Sequence, residues 1–578
     1  MLLGALAVSG FAVSCTGVRG GEEQQDVLRT LDPAVAVSSL GAVASSAPEA
    51  TAAGTRILAE GGNAMDAAAA VAFALGVADP GDSGLGGCTY ILVRMADGRT
   101  AAIDGSTPMP LGIDREKLVT MLAQGAQAGP ELAAVPASLA ALDIGLRRFG
   151  TVKLAAALAP AIDIAEQGYT VTSFQRAAVK KYFKEILATE VLRGIALRDG
   201  ADLYPVGTRL VRPDLVRTMR RIAAGGSAEF YRGAMAAEIE ADMIRRGGFI
   251  RRADLASLRV PVRKPLVGTY RGVEVIGFPS PGGGGAVVEA LNILERFPEK
   301  LLRSNSADRL QLLVEAQRLA LEDDRLAKKT VNLPESLHSL GHTEKAFAAR
   351  RAAGITLGTL SAADQAAMRH TVREMGDMTV QISVIDRWGN AVSLTQTLYR
   401  FYGCKIVSKD LGFPYNSGLE FYDPTSTDSL RPRAIFPTDM APTIVVKDGK
   451  PLLVLGSAAS SRIPGVVSSV ISEMVDRGLS GPDAVAAPRA LWSVGESATG
   501  AIIETIPPVT DAMADELAER GLVIARRVAL PSPMLKFIND GATSAVYRDP
   551  ATGELTAVGD ARRDCSASGV QTAAGGGT

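Results

Sequence analysis

Apolar and polar positions alternate along the chain with two periods, one typical of helices and one typical of strands. Apolar residues recur at helical spacing in these segments: 48–60, 64–77, much of 130–250, 286–296, 306–325, 464–477 and 510–520. Short apolar runs bounded by turn residues predict strands at these positions: 89–95, 100–104, 264–277, 379–386, 391–398, 442–447, 451–456, 501–505, 543–547 and 555–558. The strands form two groups, one on each side of residue 379, with helices between and after them. This pattern predicts stacked sheets covered by helices, with one group of strands in each sheet.

Local signals support several of these boundaries. Asn63 is a good N-cap for the helix at 64–77, because its short side chain can accept backbone hydrogen bonds from the first turn. Pro80 ends that helix, and the turn at 447–450 joins the strands on either side of it. No internal repeat is visible, so we expect one layered α/β unit.

Composition narrows the class of protein. The chain has 578 residues, of which 47% are hydrophobic and 21% are charged, and its formal net charge is −1. These values are ordinary for a globular protein with a large core. There is no long run of like charge and no basic stripe, so binding to nucleic acid is disfavoured.

The N-terminal residues suggest export. Residues 1–13 are apolar, a length that suits the h-region of a signal peptide and is too short to span a membrane. Residues 12–15 form a loose lipobox, so Cys15 is a candidate for lipid attachment. We therefore expect a periplasmic or cell-envelope protein, with residues 1–40 as leader and flexible tether. No basic residue precedes the apolar run, and the alternative is a misassigned start upstream of the folded domain.

Several kinds of site are disfavoured by residue spacing. Cys88, Cys404 and Cys565 are too far apart in sequence to indicate a disulfide framework or a zinc site. The glycine run at 282–285 is not followed by Lys and Ser or Thr, so it is not a phosphate-binding loop. No Gly-x-Ser-x-Gly elbow is present. We predict neither a metal site nor an organic cofactor.

The segment at 376–398 carries the candidate chemistry. It predicts a β-hairpin whose first strand opens on Thr379. A threonine hydroxyl is a poor nucleophile unless a base removes its proton. If the chain is cut just before Thr379, the freed α-amine has a pKa of roughly 7.7–8 and can act as that base. A threonine at the start of a strand is usually structural, because a β-branched side chain suits a strand.

The pattern around Thr379 favours the functional interpretation. Ten short motifs occur in a specific order and at specific separations: 61–68, 83–87, 135–138, 148–151, 158–162, 279–283, 383–386, 389–397, 440–445 and 456–463. In these motifs the chain resembles the gamma-glutamyltransferase family of N-terminal-nucleophile hydrolases, over roughly residues 40–565.

This resemblance implies a four-layer αββα sandwich and self-cleavage between Met378 and Thr379. The products would be a large subunit, residues 41–378, and a small subunit, residues 379–578, held together by shared sheets. Thr379 would then attack a small-molecule amide and pass the acyl group to water or an amine, with its own α-amine as general base and acid. Thr397 matches the family's second threonine, which orients the nucleophile.

The oxyanion hole and the acyl pocket depart from the family pattern. Ala459 and Ser460 stand where the family has a Gly-Gly pair, whose backbone N–H groups bind the oxyanion. The family's carboxylate-binding arginine falls on Ser106, and losing it removes charge-assisted hydrogen bonds worth roughly 1.5–3 kcal/mol each. Other pocket positions also differ: Tyr399 replaces an asparagine, Glu420 lies between the replaced positions Gly418 and Phe421, and Thr438 and Asp439 replace paired serines.

Two hypotheses follow. The first is an exported amide hydrolase or acyltransferase that acts through Thr379 on an acyl group other than simple γ-glutamyl. In it, Arg431 or Arg433 could supply a substitute cation, and Glu420 or Asp439 a substitute anion; both arginines are equally compatible with solvated loops. The alternative is a non-catalytic relative that keeps the fold and binds a small molecule or a partner.

Overall fold

Antiparallel sheets with helices on their outer faces form the fold. The computed structural model describes residues 33–329, 341–368, 378–408, 410–424, 430–494, 499–506, 508–529 and 541–571. Its strands are β1 (Ala34–Ser38), β2 (Gly41–Ser45), β3 (Cys88–Arg94), β4 (Thr100–Gly105), β5 (Tyr169–Thr170), β6 (Arg209–Leu210), β7 (Val262–Arg263), β8 (Leu266–Tyr270), β9 (Val273–Gly277), β10 (Met378–Asp386), β11 (Ala391–Tyr399), β12 (Thr443–Lys447), β13 (Lys450–Ala458), β14 (Ala490–Ser493), β15 (Gly500–Thr505), β16 (Ile524–Ala529), β17 (Ala542–Arg548), β18 (Leu555–Gly559) and β19 (Ser566–Gly569). Its α-helices are Pro48–Ala59, Ala64–Ala78, Arg115–Ala123, Ser138–Phe149, Leu154–Gln167, Ser173–Lys181, Phe183–Leu187, Glu190–Ala196, Pro213–Gly225, Ser227–Tyr231, Ala234–Arg246, Arg252–Ala256, Gly284–Leu294, Glu299–Arg303, Ala307–Lys328, Lys345–Ala352, Ala362–Ala367, Ile463–Val475, Gly481–Ala486 and Asp511–Glu519.

Strands from both sides of residue 379 share each large sheet. One seven-stranded sheet has the order β1-β18-β17-β13-β12-β9-β8, and the other has the order β19-β2-β10-β11-β3-β4-β7. The prediction of one strand group in each sheet is therefore wrong. The hairpin β10–β11 inserts between β2 and β3, and this pairing is set by contacts distant in sequence that an apolar pattern does not reveal.

The two faces of β10 explain the layering. Val380, Ile382 and Val384 belong to a core cluster that includes much of the helix Ala64–Ala78. The alternate residues point toward the other sheet, where the Ser383 hydroxyl donates to the Ser544 carbonyl at 2.8 Å. Helices such as Gly284–Leu294 and Ile463–Val475 cover the far face of that other sheet. The predicted four-layer αββα sandwich is confirmed.

The start of the helix Ala64–Ala78 confirms the role predicted for Asn63. The Asn63 side chain accepts hydrogen bonds from the N–H groups of Met65, at 2.9 Å, and Asp66, at 3.2 Å. The Asp66 carboxylate accepts the Asn63 N–H in return, which completes a capping box. Asp386, at the end of β10, accepts the Ala64 N–H at 2.9 Å, so the helix start is tied to the β10–β11 hairpin.

The segment predicted as leader and flexible tether, residues 1–40, includes residues that form a strand in the structure. Ala34–Ser38 forms β1, which pairs with β18 at the edge of a sheet. Val35 and Val37 remain about half exposed, so backbone pairing rather than apolar burial holds this strand, and the apolar pattern did not mark it. The leader and Cys15 lie outside the described residues, and their predicted roles stay predictions. Among the helices that the structure describes, none is long and apolar enough to cross a membrane.

Candidate active site

The β10–β11 hairpin brings the two predicted catalytic threonines together. Thr379 pairs with Thr397 in the ladder, and a register shift separates this pair from the preceding pair of Met378 and Tyr399. Both threonines are almost fully buried. The Thr379 hydroxyl donates to the Thr397 hydroxyl oxygen at 3.4 Å. The family resemblance predicted this contact, and the β10–β11 ladder places the two residues opposite each other.

The Thr397 hydroxyl also contacts the peptide bond that precedes Thr379. It donates to the Met378 carbonyl oxygen at 2.5 Å. It accepts the Tyr399 N–H at 2.8 Å. A hydroxyl that donates to a carbonyl can stabilise negative charge developing on that oxygen. The Thr397 hydroxyl therefore links the Thr379 hydroxyl to the Met378 carbonyl.

Tyr399 has the backbone conformation that this contact requires. Its φ is 73°, in the left-handed region, which typically costs a residue other than glycine roughly 1–2 kcal/mol. The Tyr399 ring stacks on Phe421 at 5.8 Å between centroids, and its hydroxyl bonds to the Thr107 hydroxyl at 2.8 Å. These contacts hold Tyr399 so that its N–H faces Thr397. Strained backbone conformations of this kind occur often at functional sites.

The predicted oxyanion pair lies directly after β13. β13 approaches β10 closely: a Cβ added to Gly456 would lie 2.2 Å from the Gln381 Oε1 atom. Ser460 has a φ of 55°, while Ala459 has a φ of −162° and a ψ of 22°. Ser460 thus adopts the left-handed backbone that favours glycine, although it carries a side chain.

The two acidic pocket candidates already have cationic partners. Glu420 is fully buried and accepts hydrogen bonds from Arg400 Nη2 at 2.8 Å and Nε at 3.1 Å. Asp439 binds Arg325 at 2.8 Å and Lys328 at 3.3 Å. Burial opposes ionisation of Asp439, yet these two cations hold its pKa below its usual value. A substrate cation would have to compete with these pairs.

The surroundings of Ser106 are aromatic and hydroxyl-rich. The Ser106 hydroxyl donates to Asp104 at 2.5 Å and contacts the Tyr90 hydroxyl at 2.9 Å. The Tyr90 ring stacks on Phe278 at 4.3 Å between centroids. Burial raises the pKa of Tyr90 and of Tyr399 well above the usual value, so both phenols are neutral. The Thr438 N–H donates to the Pro281 carbonyl at 2.9 Å, which holds Thr438 against the loop that contains Pro281.

A cavity of about 200 Å³ lies beside Ser106. Arg433, one of the two candidate substitute cations, lines it together with Arg263 and Arg259. Arg263 is paired with Asp104 at 2.9 Å. The cavity lining thus combines three arginines with the carboxylates of Asp104 and Asp254, next to the position where the resemblance places a carboxylate-binding arginine.

Sequence reasoning missed Arg563. Its Nη1 atom donates to the Thr379 carbonyl at 2.8 Å, although the two residues are 184 positions apart. It also forms a buried ion pair with Asp82, in the loop that follows the helix Ala64–Ala78. No local motif marks an arginine that acts at such a distance. Within the described segments, no group of three or more His, Cys, Asp or Glu residues is arranged to hold a metal ion.

Comparison with known proteins identifies the family. The gamma-glutamyltranspeptidase family model matches residues 50–570. The chain belongs to the gamma-glutamyltranspeptidase family. It is 32% identical over 478 residues to the glutathione hydrolase proenzyme of Escherichia coli K12, covering 78% of this chain and 80% of that protein. It is also 32% identical over 554 residues to the acylase ACY 1 proenzyme of a Pseudomonas species, strain V22, covering 92% of this chain and 95% of that protein.

Solved structures agree with this assignment to the gamma-glutamyltranspeptidase family. The cephalosporin acylase from Bacillus halodurans superposes with a TM-score of 0.78 at 25% identity, over 98% of this chain and 100% of that one. The gamma-glutamyltranspeptidase of Helicobacter pylori superposes with a TM-score of 0.51 at 31% identity, over 55% of this chain and 92% of that one. This gamma-glutamyltranspeptidase-family protein is therefore an enzyme with the N-terminal-nucleophile hydrolase fold.

Proposed function

We propose that this enzyme cleaves itself before Thr379 and then hydrolyses or transfers the acyl group of a small amide other than a simple γ-glutamyl compound. One observation carries the proposal. The Thr379 hydroxyl donates to Thr397, whose hydroxyl donates to the Met378 carbonyl, so nucleophile and acceptor carbonyl meet through one relay group.

This contact supports self-cleavage. The Thr379 oxygen attacks the Met378 carbonyl carbon, and the Thr397 hydroxyl stabilises the oxygen that gains charge. Breaking the peptide C–N bond gives an ester on the Thr379 oxygen and frees the Thr379 nitrogen, which takes up the proton that the hydroxyl loses and becomes an amine. Water then hydrolyses the ester to release Met378 as a carboxylate. Relatives named proenzymes fit a precursor that becomes two subunits.

Turnover uses the new amine. With an ordinary pKa of roughly 7.7–8, it can take the Thr379 hydroxyl proton and return it to the leaving amine. The substrate carbonyl carbon becomes an ester on the Thr379 oxygen, and water or an acceptor amine then releases the acyl group. The backbone N–H groups at Ala459 and Ser460 would stabilise the oxyanion in both steps.

The pocket supports an altered acyl specificity. Glu420 and Asp439 are already paired with cations, the Ser106 hydroxyl donates to Asp104, and Tyr399 is held by the Thr107 hydroxyl and the Phe421 ring. Wild-type protein should therefore turn over glutathione and a γ-glutamyl anilide poorly. After exposure to a panel of amides, intact mass should reveal an acyl adduct on the small subunit, and γ-glutamyl turnover faster than that of every other amide would contradict the claim.

The alternative function is ligand or partner binding without catalysis, motivated by the replaced pocket residues. Denaturing electrophoresis separates the two. The proposed enzyme gives two bands and Thr379→Ala gives one. A folded wild-type chain that stays whole would favour the binding function.

Export and lipid attachment at Cys15 complete the proposal, on the apolar pattern of residues 1–13. In the native host, wild-type protein should sediment with membranes and Cys15→Ala should not. Equal distribution of both would rule out the anchor.

A further inference from the structure

A buried arginine holds the backbone of Thr379 itself. Arg563 Nη1 donates to the Thr379 carbonyl at 2.8 Å, and the Arg563 side chain is only 2% exposed. On the side of β10 away from β11, the ladder with β2 covers only Ser383–Asp386. The first residues of β10 therefore lie beyond that ladder. Arg563 supplies a donor where strand pairing has stopped.

Arg563 is held on several sides. It forms an ion pair with the fully buried Asp82, and Asp79 lies 3.9 Å from the same guanidinium nitrogen. Its guanidinium lies over the Phe174 ring, 4.1 Å from the centroid. An arginine fork can bind a carboxylate and a carbonyl at once, a geometry that lysine does not provide. These contacts therefore hold the Arg563 side chain in one rotamer.

The turn that carries Arg563 is itself anchored. The neighbouring Arg562 binds Glu504 at 2.6 Å, and Asp560 binds Arg489 at 2.5 Å. Asp560 also accepts the Thr543 N–H of β17 at 3.1 Å. These buried pairs tie the turn to the sheet that faces β10.

Asp82 contacts β11 directly and is linked to β10 through Arg563. Its side chain orients Arg563 toward Thr379, and its backbone carbonyl accepts the Leu398 N–H at 3.0 Å. Leu398 follows Thr397 directly. Asp82 lies in residues 41–378 and Arg563 in residues 379–578, so after cleavage this contact would join two polypeptides at the new N-terminus. Chain ends fray unless they are tied down.

We propose that Arg563 is a positioning residue, oriented by Asp82, that holds the Thr379 backbone for self-cleavage and for turnover. The inference rests on the proposed role of Thr379 as nucleophile. Arg563 acts through the Thr379 carbonyl and does not exchange protons with the reacting atoms. Losing this hold should misplace the hydroxyl relative to the carbonyl it attacks, and a misplacement of about 1 Å can cost roughly a hundredfold in rate.

The test uses full-length chains and needs no substrate. The double variant Arg563→Met/Asp82→Asn removes both charges together, so no lone ion of that pair is left buried. Its matched control is Arg309→Met/Glu473→Gln, an equally buried pair outside the site. The first-order rate of self-cleavage is followed by electrophoresis, and folding by thermal unfolding of the same variants in a Thr379→Ala background.

We expect the double variant to cleave about 10- to 100-fold more slowly than the control at similar thermal stability. In matured protein, kcat for any amide that the wild type turns over should fall while KM stays within about twofold. Arg563→Lys should recover part of the cleavage rate. A folded double variant that cleaves at the control's rate would overturn the inference. If the double variant does not fold, Arg563→Lys cleaving at the wild-type rate would overturn it instead.

The outcomes separate this inference from the proposed function. A wild-type chain that never splits overturns both. A wild-type chain that splits before Thr379, beside a double variant that splits equally fast, overturns only the role of Arg563.

Discussion

Threonine is common in strands, and Thr379 is distinguished from other strand threonines by the groups around it. A register shift precedes it, the left-handed Tyr399 turns an N–H onto Thr397, and Arg563 holds its carbonyl. The resemblance to the gamma-glutamyltransferase family predicted the Thr379–Thr397 contact, because Thr397 matches the family's second threonine. The sequence did not predict Arg563, or the pairing of Glu420 with Arg400, because the torsions and distant contacts that create them have no local signature.

Removing the Thr397 hydroxyl should slow self-cleavage. Thr397→Val keeps the shape of the side chain and removes the donor to the Met378 carbonyl. Loss of one such donor typically costs 10²- to 10³-fold in rate, whereas Thr397→Ser should stay within about tenfold of wild type. The time course of the two-band pattern measures both. Equal rates for the valine and serine variants would contradict the relay role.

Backbone strain at Ser460 should be measurable. Ser460→Gly and Ser460→Ala both lose the hydroxyl, so their difference reports the left-handed backbone alone. We expect the glycine variant to be more stable by about 1 kcal/mol, because alanine keeps the strain. Urea unfolding in a Thr379→Ala background gives the difference. An alanine variant of equal or greater stability would show that position 460 is not strained.

Among the elements, the helices Gly284–Leu294 and Ala307–Lys328 show what an apolar pattern reveals and what it omits. Their positions were predicted at 286–296 and 306–325. Their contact, however, includes Glu289, which is fully buried near Asp323 and Asp324. Burial is the largest cause that raises the pKa of Glu289, and the two aspartates raise it further. The positive charge of Arg351 lowers it, and the resulting pKa is about 11. Glu289 is therefore neutral at ordinary pH.

This neutral acid predicts a pH dependence of stability. The folded pKa lies above the unfolded value of about 4.3, so the contribution of neutral Glu289 is fully present below pH ~4.3 and is lost as pH rises toward 11. Glu289→Gln keeps the neutral form at every pH. Urea unfolding at about pH 5.5 and 8.5 should show a smaller loss of stability in this variant than in wild type. The exposed Glu299→Gln is the control, and parallel profiles for Glu289→Gln and wild type would contradict the assignment.

At the scale of the whole molecule, the sequence predicted the layers but not the strand order. Each large sheet combines strands from both sides of residue 379, and β10 and β11 lie between β2 and β3. Cutting the chain before Thr379 therefore leaves most strand pairings intact. Backbone hydrogen-bonding groups are alike in almost every residue, and side-chain packing between distant segments decides which strands pair. Many strand positions could therefore be predicted, whereas strand neighbours could not.

The two polypeptides should stay together after cleavage for this reason. Mature protein should elute in gel filtration at the same volume as uncleaved Thr379→Ala, and its two chains should separate only in denaturant. Two separate peaks in native buffer would contradict the shared sheets.

The most direct test of the account is N-terminal sequencing of the mature, folded protein, with Thr379→Ala as its partner. We expect a second polypeptide that begins with Thr379 in the wild type, and a single intact chain in the variant. A folded wild-type protein that turns over amides without a chain beginning at Thr379 would contradict it.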